Sequence, residues 1–114
     1  MQVLISTSHD NGDNWTPWIV ARLPDELGPP SLTAPVLKLP NGRLMMSIES
    51  NKAYLDSSKW YQRVVMLYSD DAGQTWGDLQ IAGCDPTGRI FNWDQRFGLA
   101  PDGRLLRLLK LDFF

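Results

Sequence analysis

Five residues stand where their types and spacing could do chemistry. Glu49 closes an apolar run, Asp94 and Arg96 lie two apart within another, and Tyr54 and Asp56 share a polar stretch between runs. Glu49 and Asp94 are carboxylates of the kind that serve as general acid and base; at a strand end in solvent, Glu49 would be an ordinary cap. Arg96 carries the planar fork that grips a carboxylate in a bidentate manner or meets hydroxyl groups. Its plainer alternative is an ion pair with Asp94 on the same strand face. Tyr54 and Asp56 could reach a bound molecule from their loop. Trp60 and Trp93 could stack on a ligand or lie as half-buried edge rings.

A more conspicuous pair of acids is Asp10 and Asp71, because each belongs to a phrase that occurs twice. Ser8-His9-Asp10-Asn11-Gly12-Asp13-Asn14-Trp15 returns as Ser69-Asp70-Asp71-Ala72-Gly73-Gln74-Thr75-Trp76, 61 residues later. Pro40-Asn41-Gly42-Arg43-Leu44 returns as Pro101-Asp102-Gly103-Arg104-Leu105 at the same offset. Two unrelated phrases with one period mean a repeated unit. Within the first phrase an Asp can accept backbone N–H bonds in a turn, Gly supplies a positive φ, and Trp covers neighbouring strands. These roles are structural, so Asp10 and Asp71 are not read as catalytic. His9 occupies a free position of the turn and reads as solvated.

The elements that must position these residues are strands. Gly and Pro punctuate short runs rich in Val, Ile, Tyr, Phe and Trp, the mark of many short strands. Runs are expected at Gln2–Thr7, Trp18–Ala21, Thr33–Leu39, Arg43–Glu49, Tyr61–Tyr68, Leu79–Ala82, Asn92–Leu99 and Arg104–Leu111. Asn41-Gly42 is a strong hairpin signal. The segment Arg22–Ser31, with Pro24, Gly28, Pro29 and Pro30, is expected to hold no ladder. On the 61-residue period this gives half a unit, one four-stranded antiparallel unit and half of another. A small sandwich of about eight strands is the competing all-β reading. Strand alternation puts both repeated phrases at one end of the unit and the long variable loops at the other. Loops on a rigid scaffold are where function usually sits.

The pattern Ser-x-Asp-x-Gly-x-Thr-Trp resembles the Asp box of sialidases and related bacterial-neuraminidase-repeat proteins. Ser8, Asp10, Gly12 and Trp15 carry it once, and Ser69, Asp71, Gly73, Thr75 and Trp76 carry it again; Asn14 stands where Thr is usual. The resemblance implies a fragment of a six-bladed β-propeller: a half blade at 1–22, a complete blade at 33–82 and a half blade at 91–114. It implies a sialidase-like glycoside hydrolase of the exo-α-sialidase type, with a non-catalytic glycan- or protein-binding propeller as the alternative. Sugar then binds on the face away from the boxes. Glu49 and Asp94 become candidate catalytic residues, and Arg96, Tyr54 and Asp56 candidate substrate contacts. No cofactor or metal is implied. The partners are a glycan (sialic acid or a related sugar) and the remaining blades. The family's early Arg-Ile-Pro phrase has no counterpart here, and no Tyr/Glu nucleophile pair can be assembled, so the chain by itself is expected to be inactive. The family is often secreted.

Bulk properties agree with a small domain. A net charge of −2 over 114 residues argues against nucleic-acid binding, and no apolar run approaches the ~20 residues of a membrane span. The start lacks the basic flank and long apolar stretch of a signal peptide. Cys84 is alone and is expected to be buried or half-buried. Both termini read as cut through strands, which predicts unpaired edges and a marginal, self-associating chain.

Overall fold

The computed structural model describes residues 2–113. Every regular element except one short 3-10 turn is a strand, and every named strand pairing is antiparallel. β1 (Leu4–Ile5) and β2 (Ile19–Val20) pair across the first turn phrase. The 3-10 turn Asp25–Leu27 leads into the central sheet. There β3 (Pro30–Leu32) and β4 (Leu37–Lys38) both pair with β5 (Leu44–Ser50), β5 pairs with β6 (Arg63–Ser69), and β6 with β7 (Gly77–Cys84). β8 (Ile90–Leu99) and β9 (Leu105–Phe113) form a further hairpin.

The alternating period of a strand divides β5 into two faces, and both are buried because β5 is covered on both sides. Met46 and Ile48, with Val65 and Leu67 of β6, join Val3, Ala21, Leu27 and Trp76 in one core. Met45, Ser47 and Glu49 take the opposite face, against β8, where the Gln95 amide donates to Ser47 Oγ at 3.2 Å. Burying a residue such as Ile48 or Leu67 on this scale contributes about 1.5–3 kcal/mol each.

Two expectations need correction. The first strand of the central unit is not one run from Thr33 to Leu39; it is broken into β3 and β4, and β3 begins inside the segment expected to hold no ladder. Pro30 pairs with Ser50 because β3 lies at the sheet edge, where a missing N–H leaves no neighbour unsatisfied. Cys84 is exposed, since it ends β7 on the outer edge of the sheet.

Candidate functional site

The two turn phrases have the same internal wiring. Ser8 Oγ donates to Asp10 Oδ1 at 2.9 Å and accepts from Gly12 N at 2.7 Å; Ser69 does the same with Asp71 at 2.8 Å and Gly73 at 2.9 Å. Asp10 Oδ1 and Asp71 Oδ1 accept the main-chain N–H of Asn14 and Thr75, both at 2.9 Å. Trp15 and Trp76 donate their indole N–H to Gly12 O (3.0 Å) and Gly73 O (2.8 Å). Asn14 replaces the hydroxyl of Thr75 with an amide that reaches the same carboxylate oxygen, at 2.7 Å against 2.5 Å. These bonds hold the Asp10 carboxyl below its ordinary value, with the Asn14 side chain the largest cause, and take Asp71 down to about 2, with Thr75 the largest. The carboxylates are spent on turns. Arg43, on the Asn41–Gly42 hairpin, donates to Asp70 (2.8 Å) and Asp78 (2.5 Å), so the hairpin and the second turn phrase share one end of the sheet.

At the opposite end, Glu49 is only 4% exposed. It is covered by an irregularity in β8, where the register slips between Trp93 and Arg96 and Asp94 takes a φ of 52°. The main-chain N–H groups of Asp94 and Gln95 thereby turn toward the Glu49 carboxylate. Burial pushes the Glu49 carboxyl up; those two N–H groups oppose the rise, and the Asp94 charge adds to it. Glu49 Oε1 and Gln95 Oε1 are both buried without a hydrogen-bond partner. Glu49 and Asp94 are therefore brought together, but Glu49 is sealed beneath β8. Arg96 is exposed beyond the irregularity, and the ion pairs among the described residues join Arg43 to Asp70 and Asp78 and Arg104 to Asp102, never Arg96 to Asp94.

Beside Glu49, the exit of β5 opens into a polar cavity of about 310 Å³, whose lining includes Glu26, Lys52, Asp56, Trp60, Tyr61 and Arg63. Lys52 Nζ donates to Ser58 O at 2.6 Å and Arg63 Nη2 to Glu26 O at 3.0 Å. Lys59, also on the rim, donates to Thr87 O at 2.6 Å and lies 5.3 Å from the centre of the Tyr61 ring. None of these three cations is ion-paired among the described residues. Asp56 lines the cavity while accepting Ser58 N at 2.9 Å, whereas Tyr54 stands wholly exposed outside the lining. Trp60 packs on Phe91 (4.8 Å between ring centres) and Trp93 (5.4 Å), so both tryptophans are half-buried edge rings, and Trp60 also walls the cavity.

A roomier groove of about 450 Å³ lies at the turn-phrase end, but its walls are mostly apolar. The convergence of polar and aromatic groups that fixes a ligand's orientation is at the β5 exit. Sequence reasoning reached Asp56 and Trp60 there and missed Lys59 and Arg63, because the spelling of the 59–63 stretch does not say which of its side chains turn to the cavity. Asp85 was also passed over: it builds a third turn by accepting from Thr87 Oγ1 (2.6 Å), Thr87 N, Arg89 N and Ile90 N, which hold its carboxyl far below the ordinary range. The Asp-Pro-Thr-Gly spelling was its signal. Among the described residues no group of three His, Cys, Asp or Glu side chains could hold a metal ion. No family model matches the chain, and no curated protein matches it.

Proposed function

We propose that this chain is part of a sialidase-like β-propeller of the glycoside hydrolase type, and that its own share of the work is to hold a glycan. The carrying observation is the cavity at the β5 exit, on the end away from both turn phrases. There Lys52, Lys59 and Arg63 offer donors without paired carboxylates, beside the rings of Trp60 and Tyr61. Hydroxyl-rich ligands are held by such donors with an aromatic wall, and a carboxylate on the sugar adds charge-assisted bonds.

Binding is favoured over cleavage within this chain because Glu49 is sealed and, among the described residues, no second carboxylate faces it across open space. The hydrolase reading keeps one support: a buried carboxyl with a raised pKa is the form a general acid needs. The test presents the full chain to immobilised sialylated and neutral glycans and to a fluorogenic sialoside. The expected result is retention on the sialylated glycan, weakened about tenfold by Lys52→Ala with Arg63→Ala, without release of the fluorophore. Failure to bind any glycan overturns the proposal, and turnover abolished by Glu49→Gln would transfer the function to hydrolysis.

A further inference from the structure

The 61-residue repeat makes the two outer hairpins counterparts of the two halves of the central sheet. β8 corresponds to β3 and β4 together and β9 to β5, while β1 and β2 correspond to β6 and β7. Yet the halves lie at opposite ends of the chain, and each presents surface that its counterpart buries. Among the described residues β9 pairs only with β8, and β1 only with β2. Leu108 is 75% exposed, against 1% for Ser47 at the equivalent position of β5. Trp15 is 63% exposed, against 5% for Trp76. Leu4 is likewise exposed where its counterpart Val65 is fully buried.

We propose that a second copy of this chain occupies these surfaces head to tail, with β9 of one copy pairing antiparallel with β1 of the next. The pairing assembles one more four-stranded sheet from β8–β9 of one molecule and β1–β2 of its neighbour. Its register is given by the central sheet, where Ile48 lies opposite Val65. Carried along the repeat, this places Leu109 opposite Leu4 of the next copy.

The apolar groove at the turn-phrase end supplies the second contact. Its walls include Ile5, Val36, Leu44 and Trp76. In the central sheet, Met45 and Ser47 are buried on the face turned to β8, whose buried Phe97 is the repeat counterpart of Val36. Leu106 and Leu108, counterparts of Met45 and Ser47, would fill the equivalent place against Val36 of the next copy. The groove is thus the socket that β9 fits, and the main-chain edge and the leucines engage together. A contact between two different surfaces does not use itself up, so it propagates into a closed ring or an open row.

The test uses the full 114-residue chain. Light scattering coupled to size-exclusion chromatography is expected to give a mass of several chains. Leu106→Glu with Leu108→Glu changes only exposed positions; it is expected to keep the β-sheet circular dichroism while weakening association at least about tenfold. Disulfide trapping in a Cys84→Ser background reads the register independently. Residues directly opposite on antiparallel strands have Cα atoms about 4.5–5.5 Å apart, within disulfide reach. Leu4→Cys with Leu109→Cys is expected to give a ladder of linked chains, and Leu4→Cys with Lys110→Cys, whose side chains point to opposite faces, is expected not to. A monomer at concentrations up to about 100 μM, or equal linking by both pairs, overturns the proposal.

Discussion

Gln62 holds Asn92 by both of its main-chain groups. The Gln62 amide donates to the Asn92 carbonyl, and its oxygen accepts the Asn92 N–H at 2.8 Å. A side chain here plays the part of a neighbouring strand, and it does so fully buried, between the loop entering β6 and the start of β8. The Gln95 amide on Ser47 and the Thr33 hydroxyl on Gln95 O (3.3 Å) add two more polar ties between β8 and the central sheet. The β8–β9 hairpin is therefore positioned by specific polar contacts as well as by Phe97.

Removing the clamp leaves a buried N–H and a buried carbonyl without partners, at about 1–3 kcal/mol each. Gln62→Ala is expected to lower stability by about 2–6 kcal/mol in urea denaturation. A Gln62→Ala loss under about 0.5 kcal/mol would mean that the clamp carries nothing.

Glu49 sets a pH dependence whose sign follows from burial. Its folded-state pKa lies above 4.5, so the folded chain holds the proton more tightly than the unfolded one. The stability it contributes is full below pH 4.5 and is lost as pH rises from there through the folded value. Glu49→Gln is expected to flatten the stability curve over this window and to raise stability at pH 7 by about 1 kcal/mol or more. Stability measured from pH 4 to pH 8 checks this; parallel curves for both proteins would remove Glu49 as the cause.

Asp71 works in the opposite direction. Its carboxyl is held at about 2 rather than 3.8, so its contribution is present above the ordinary value and lost as pH falls through about 2. Carboxyl carbon NMR is expected to show a midpoint near 2 that moves up toward 3.8 in Thr75→Ala, since the Thr75 hydroxyl is the largest cause. An unmoved midpoint would show that the Thr75 main-chain N–H and the Ser69 hydroxyl, and not the Thr75 hydroxyl, set the value.

The turns were legible in the sequence because their bonds are local. Ser69, Asp71, Gly73 and Thr75 satisfy one another within a few residues, so type and spacing carry the geometry. The strands were legible from alternation and punctuation for the same reason. The site was not. Gln62 meets Asn92 across 30 residues, Gln95 meets Ser47 across 48, and Arg63 meets Glu26 across 37. No local pattern spells such contacts, and the irregularity that seals Glu49 depends on how β8 lies over β5. Arg96 and Asp94 looked like a pair on one face only because a regular strand was assumed.

A pair of glycines separates backbone strain from crowding. Gly42 and Gly73 both adopt left-handed φ, +86° and +91°, so an added Cβ is strained at either, by about 1 kcal/mol. At Gly42 that Cβ would meet open space. At Gly73 it would lie 3.3 Å from Ile5 Cδ1 and 3.6 Å from the Trp76 ring, at the joint between the β1–β2 hairpin and the second turn phrase. Ile5 is half-buried and packed against the core, so it gives way only by opening that joint. Gly73→Ala is therefore expected to destabilise more than Gly42→Ala, by about 1–3 kcal/mol of overpacking. Trimming Ile5 to Val in the Gly73→Ala background relieves the contact at Cδ1 and is expected to recover part of the difference. Denaturation midpoints of the three variants decide it: equal losses for both glycines would show that the hairpin does not press on the turn.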